Sequence, residues 1–529
     1  MSTVTADVVV AGAGHNSLIT AAYLALAGRE VVVLDSRPIP GGGASSEELL
    51  APGYLLDSCS TGHTLIQTNP LLRDDELGLL DEYGLEYLMP DPFAHVAFPD
   101  GEHLTAWLDV ERTVEGFARF SRADAAAYCR LLADYDEVKH IFGAATFTPI
   151  GFGPSLDERL SEHPKGDLWR RRAALSAWDV IRHDFEDRHV QAFLLWQAYQ
   201  TLVPVDAPGS GTLAYSIVFG RQRRSWTLPR GGSGRLTDAL VRCIEAHEGT
   251  VLCGRRVNRL VVDGGRCAGV ECETGERFLA RDAVVSTIHV KHLLEMAPAD
   301  AWGETFRYGV ETFDVGVSCS ATYLATTAAP EFATPDGPRS AVSAGLAGWP
   351  QDMIDFGRAL RDGRWVDDPQ WVLVATPTLV DPARAPAGHH TVKLLAPQSY
   401  GFEDRREAFA DRLLRRLRAV CPDFTDAVVL DRLVKMPEDI ERQNEHMIRG
   451  TFHGGDRTLP QSGALRPVPG WAQHRMPIPG LYQTGGTTHP GGSITGGPGR
   501  NAAVVLLHDL GTSLEEVVAD ARRPRAGRR

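Results

Sequence analysis

The chain has 529 residues, 43% of them hydrophobic and 23% charged, which is ordinary globular usage and excludes wholesale disorder. That length suggests two to four domains and is enough to bury a large core without disulfide or metal staples. The net charge of −14 argues against a nucleic-acid partner, which calls for a basic face.

Met1 runs directly into an apolar strand with no charged leader, so no signal peptide is expected. Residues 6–11 (ADVVVA) have the composition of a buried strand, residues 18–27 that of a helix closed by Gly28, and residues 30–34 (EVVVL) that of a second strand ending at Asp35. Strand, turn, helix and strand within about 30 residues is the spacing of a right-handed βαβ unit. Two helical stretches, 111–136 and 174–202, are separated by the Gly/Pro-containing segment 147–154, with the apolar run 141–152 read as an inner loop or a membrane-facing mouth. A turn at 226–234 leads into a helix at 235–247. Strands are expected at 250–253, 256–262, 268–273 and 283–287, and β-rich segments at 310–325 and 371–396. A helix at 407–420, a strand at 481–484 and a last helix at about 501–510 complete the pattern. The final residues, 521–529, read as a disordered basic tail. No apolar run reaches the ~18–20 residues needed to cross a membrane.

Three glycine-rich loops carry the chemistry. In the first, Gly12-x-Gly14-x-x-Ser17, Gly12 allows a tight turn and Gly14 lets the backbone approach a pyrophosphate. The following helix then presents free N–H groups to that anion. Ser17 stands where a third glycine is usual. Asp35, at the end of the next strand, is placed to accept hydrogen bonds from an adenosine ribose. The second loop is Gly41-Gly42-Gly43-Ala44. The third, Gly485-Gly486-Thr-Thr-His489-Pro-Gly491-Gly492, lies between a strand and a helix. Such a loop can pass beneath a flat ring, with the helix N-terminus facing the ring edge where charge builds on reduction.

Eight scattered cysteines include no C-x-x-C pair, which excludes a dithiol redox centre, and suit reduced thiols in a cytoplasmic protein. No metal site is expected. The adjacent His389 and His390 would face opposite sides of a strand. Ser233, in Gly231-Gly-Ser-Gly234, lacks the setting of a nucleophile. His63 is assigned to a surface or bracing role, with the pocket wall as the alternative. Phe193, Leu194, Leu195 and Trp196 are read as core, with a substrate tunnel as the sharper alternative.

Together these motifs resemble the phytoene desaturase or carotenoid oxidoreductase family of FAD-dependent, amine-oxidase-like flavoproteins. Within it they look nearest the branch holding carotenoid ketolases and the pyridine nucleotide-disulfide oxidoreductase domain-containing proteins. The family's GxGHNxL opening is matched at 12–18, its Gly-Gly-Ala at 42–44 and its TGxxTHPGG at 484–492. Weaker matches lie at 226–234, 381–388 and 437–442.

The resemblance implies an α/β fold: a Rossmann-like FAD-binding domain assembled from 1–75, 226–300 and 440–520, with a mixed α+β substrate domain from 76–225 and 301–439. It implies an FAD site made of Gly12, Gly14, His15, Asn16, Ser17, Asp35 (where the family usually has Glu), Ser36, Arg37, Gly42, Gly43, Ala44, Val257, Gly485, Gly486, Gly491, Gly492 and Ile494. No catalytic base stands out, His489 being a weak candidate against a bracing role. The expected activity is hydride removal from a lipophilic, polyene or isoprenoid-like substrate, with a quinone or oxygen as electron acceptor and peripheral membrane contact as an option. The alternatives are an oxygen-using oxidase or ketolase acting on a carotenoid or an amine, and a non-catalytic protein that kept the fold.

Overall fold

The computed structural model describes residues 3–523, so positions 524–529 of the expected tail lie outside the described residues. The first strand, β1 (Thr3–Ala11), has four consecutive buried residues from Val8 to Ala11, the signature of a strand covered on both faces. It leads through the Gly12–Gly14 turn into helix α1 (His15–Leu26), and then into β2 (Val31–Leu34), parallel to β1. Ten of the twelve residues of α1 are buried, so this helix is a central element. It packs against the helices Gly234–Ala246 and Gly497–Asp509 through Leu18, Ile19, Ala22, Leu240 and Leu506.

Around this unit lies a seven-stranded sheet in the order Val257–Asp263, Arg266–Cys272, Arg277–Ser286, β1, β2 and Thr250–Leu252. The strand Leu481–Gln483 pairs in parallel with the end of Arg277–Ser286. The four strands that converge on the glycine loops are parallel; the outer hairpin 257–272 is antiparallel. A second seven-stranded sheet runs Val429–Lys435, Cys319–Thr326, His390–Pro397, Trp371–Ala375, Ser343–Ala347, Ala94–Ala97 and His103–Ala106. Helices from 110 to 224 cover one of its faces, and the helix Arg406–Val420 covers the other through Phe409, Leu413 and Leu417.

Several elements differ from the sequence expectation for identifiable reasons. The stretch 111–136 is two helices, Val110–Ala118 and Arg122–Thr146, because Ser121 adopts extended backbone and caps the second by accepting from Asp124 N–H. Asp187 likewise caps Arg188–Tyr199 and divides the 174–202 region. The segment 310–325 is not strand throughout. Glu304–Glu311 is a helix whose Phe306 and Val310, one turn apart, both enter the core, and only Cys319–Thr326 is extended. Prolines at 377 and 382 interrupt 371–396 with two short 3-10 turns.

Phe193, Leu194, Leu195 and Trp196 belong to the core. The Trp196 indole N–H donates to the Val372 carbonyl (3.1 Å), and the ring stacks on Trp371. It fits because residue 345, beneath it, is glycine: a Cβ there would sit 2.3 Å from Trp196 Cε2. Gly345→Ala is therefore expected to lower the unfolding free energy by about 1–3 kcal/mol, measured by denaturant titration with Trp fluorescence as the probe. Unchanged stability would mean that the helix lifts freely from the sheet.

Candidate functional site

A cavity of about 1740 Å³ begins where the parallel strands end. One half is a trough walled by Gly12, Gly14, His15, Asn16, Asp35, Ser36, Arg37, Gly42, Gly43, Val257, Gly485, Gly486, Gly492 and Ile494. Ser17, Ala44, Gly491 and His489 are not on its wall.

Ser17 works from behind. Its hydroxyl lies 2.6 Å from the Gly12 carbonyl oxygen and 2.9 Å from that of Gly14, so it ties the loop to the helix. Ala44 N–H donates to the Gly41 carbonyl (2.8 Å), closing the second loop. Gly491 packs on the Arg457 side chain, which would lie 2.9 Å from a Cβ there. His489 is buried, and its Nε2 lies 3.1 Å from the Ala145 carbonyl oxygen, an arrangement that braces the loop. His63 is also internal, with Nε2 2.6 Å from Ser233 Oγ.

The first two loops meet backbone to backbone. Gly41 N–H donates to the Ala13 carbonyl (2.7 Å), and a Cβ on Gly42 would lie 3.3 Å from Gly14 Cα. Thr287, just past the strand Arg277–Ser286, is wedged between the first and third loops. A Cβ on Gly12 would come within 2.3 Å of its Cγ2, and one on Gly485 within 2.5 Å of its Oγ1. Sequence reasoning missed Thr287, whose only signal was its place at a strand end. It also missed the wall supplied by Cys59, Lys393, Arg221 and the residues 443–447, for which no motif exists.

The trough suits a dinucleotide on two independent grounds. At Gly14 a Cβ would meet no protein atom nearer than Ser17 Oγ at 4.0 Å, so the space it leaves belongs to the cavity. Gly14 caps α1 without a side chain, the first turn holds no acidic residue, and the amides of Asn16 and Ser17 donate to no acceptor among the described residues. Free amides and the positive end of the helix dipole form an anion site. Burial pulls the His15 imidazole down to about 4, so near neutral pH it adds no charge of its own.

Asp35 closes the other end. Its Oδ2 accepts from Ala13 N–H (2.6 Å) and its Oδ1 from Arg37 N–H (2.8 Å). Burial still pushes its carboxyl above the usual range, since it outweighs these bonds and the nearby Arg37 charge. The second helix terminus differs from expectation. This helix starts at Gly497, and two of its amides are already engaged, Gly497 N–H by Thr495 Oγ1 (3.1 Å) and Gly499 N–H by Asn16 Oδ1 (3.3 Å).

Behind the third loop, Arg466 is 1% exposed and donates to the carbonyls of Gly486, Asp456, Gln461 and Gly455. It holds that loop in place, and burial lowers its pKa to about 9. All eight cysteines are free thiols.

The other half of the cavity is walled by the end of the helix Arg122–Thr146, the segment 200–226 and the sheet strands at 373–375 and 393–395. Phe142, Phe147, Leu213, Ile217, Phe219 and Leu395 make this part largely apolar. Residues 142–144 and 146–148 thus line the interior of the cavity. Among the described residues no helix is long and apolar enough to cross a membrane.

Fold and trough together define a Rossmann-type α/β protein with a site for a dinucleotide. Residues 18–507 match the model of the family described as flavin containing amine oxidoreductase, and the chain belongs to that family. It is similar to one of the subunits of limonene dehydrogenase from Castellaniella defragrans (28% identity, 97% of each chain covered). It is also similar to the rat pyridine nucleotide-disulfide oxidoreductase domain-containing protein 2 (27%, 95% of this chain and 94% of that one). The lycopene-forming phytoene desaturase of a Paracoccus strain is 26% identical over 96% of this chain and 98% of its own. Among solved structures, an oxidoreductase from Methanosarcina mazei shares the fold at a TM-score of 0.62 and 17% identity, covering 94% of this chain and 99% of its own. The chain is an FAD-dependent oxidoreductase.

Proposed function

We propose that the chain dehydrogenates a lipophilic, polyene or isoprenoid-like substrate, a hydride leaving one carbon and a proton its neighbour to give a C=C bond. The observation that carries this reading is the continuity of the cavity: the glycine trough opens directly into a chamber faced by Phe142, Phe147, Leu213, Ile217, Phe219 and Leu395. Relatives whose names specify limonene and phytoene support the same substrate class.

Bound FAD supplies the two-electron acceptor. The protein supplies position: α1 would hold the pyrophosphate, Asp35 the ribose, and Gly42, Gly43, Gly485 and Gly486 a surface flat enough for close approach. The apolar chamber keeps water from the reacting carbons. A quinone or oxygen then reoxidises the protein.

The test is to load the chain with FAD and mix it anaerobically with limonene, phytoene and, as a contrast, putrescine. Bleaching of the visible flavin band by a terpene or polyene alone is expected. Bleaching by the amine alone would overturn the assignment in favour of an amine oxidase. Stoichiometric peroxide on admitting air would identify oxygen as the acceptor.

A further inference from the structure

The cavity wall carries four carboxylates, Asp35, Glu273, Glu295 and Glu445, and all of them lie on the dinucleotide side. In the substrate half the titratable groups on the wall are mostly cations, although the chain as a whole is acidic. The most deeply placed are Lys393, whose Nζ donates to the Asp57 and Cys59 carbonyls, and Arg221, on the helix Leu213–Arg224; they are 5% and 6% exposed. The two Nη atoms of Arg221 donate to the amide oxygens of Gln197 and Gln200, and among the described residues no carboxylate pairs with it.

Two neutral oxygens orient a guanidinium but leave its charge uncompensated. Buried charges are ordinarily paired, so an unpaired one facing a cavity is a site awaiting an anion. Burial, with no compensating partner, lowers its pKa to about 9. Gln200 Nε2, a buried donor on the same wall, also has no acceptor. One turn further along the helix, Arg224 lines the cavity, and its side chain has no hydrogen-bond or ion-pair partner among the described residues.

We infer that Arg221, with the Gln200 amide beside it, binds a carboxylate carried by the substrate, so that among lipophilic compounds those ending in a carboxylate bind more tightly than neutral ones. This rests on the lipophilic reading above and narrows it. A single planar guanidinium flanked by an amide matches the charge and shape of one carboxylate.

The experiment uses the full chain loaded with FAD and titrated with farnesoic acid and with farnesol, which differ only at the terminal group. Binding is read by calorimetry and by perturbation of the visible flavin band. The acid is expected to bind roughly ten-fold or more tightly than the alcohol. The preference should vanish in Arg221→Met and persist in part in Arg221→Lys, with FAD content showing that each variant is folded. Equal affinity for acid and alcohol in the unaltered protein overturns the inference and leaves the lipophilic reading standing, and this comparison needs no variant. An undiminished acid preference in FAD-replete Arg221→Met also overturns it. Binding of neither compound by the FAD-loaded protein defeats both readings together.

Discussion

Replacing Gly14 with alanine is expected to leave the fold intact while removing most of the FAD. The backbone at this position is extended, with φ −70°, so an L-residue is unstrained there. The added methyl group meets no protein atom closer than 4.0 Å. Its volume lies in the trough, over the free amides of α1, where a pyrophosphate would have to make contact. Thermal unfolding of the apo-protein should therefore stay within about 0.5 kcal/mol of the parent, while FAD affinity falls by roughly ten- to a hundred-fold. Gly12→Ala should behave oppositely. There φ is +101°, and the new Cβ falls 2.3 Å from Thr287 Cγ2. Thr287 cannot retreat without breaking its N–H bond to the Ala11 carbonyl (2.9 Å). Strain and overlap together put the loss for Gly12→Ala at about 2–4 kcal/mol of stability even without FAD. Fluorescence titration of FAD beside apo-protein melting separates the two cases. A Gly14→Ala protein that bound FAD within two-fold of the parent would sink the assignment of this loop.

The second large effect is expected at the buried pair Asp57–Arg384, whose side chains are each 1% exposed and 2.9 Å apart. Asp57 Oδ1 also accepts from Ser233 N–H (2.8 Å) and Ser46 Oγ–H (2.7 Å). One carboxylate thereby joins the segment after the second glycine loop to the turn at 231–234 and to the 3-10 turn Pro382–Arg384, which links two strands of the second sheet. Burial alone would push the Asp57 carboxyl up. The Arg384 charge and the two donors outweigh it and hold it below the usual range. Arg384→Met strands that carboxylate without its counter-ion and should cost about 3–5 kcal/mol, read as a lowered denaturant midpoint. The sign of the pH dependence follows from the depressed pKa. The contribution is complete above the unfolded carboxylate value of about 4 and is lost as pH falls through the folded one. Parent and variant should therefore converge in stability on acidification below that value. A gap that stayed constant into the acid range would assign the loss to packing rather than charge.

The first βαβ unit was legible because each of its parts is local. The run ADVVVA, two glycines at the turn and an alanine-rich helix have no other arrangement that buries them all. The strands Ala94–Ala97, His103–Ala106 and Ser343–Ala347 were not legible. They are short, contain His, Ala and Gly in place of β-branched runs, and acquire their strand conformation from neighbours far along the chain. The helix breaks at Ser121 and Asp187 did carry a signal, a capping residue before a helical run, but the helical composition on both sides concealed it. Arg221 was hidden for a different reason. In the run Arg221-Gln-Arg-Arg224 it looks like part of a solvated face, and only the packing of Gln197 and Gln200 beside it turns it inward. Thr287 gains its significance from two glycines nearly 500 residues apart, and no window along the chain contains both.

That last separation bears on how the protein is made. Thr20 Oγ–H donates to the Gly499 carbonyl (2.8 Å), and at Gly499 a Cβ would lie 2.3 Å from the Asn16 carbonyl, so the last glycine-rich turn seals the first helix. During translation α1 is made long before its covering helix Gly497–Asp509. Until then one face of this largely buried helix, the side not covered by Gly234–Ala246, stays open, which makes the nascent chain a natural client for chaperones that shield such surfaces. A chain cut short before Gly497 would leave that face of α1 open.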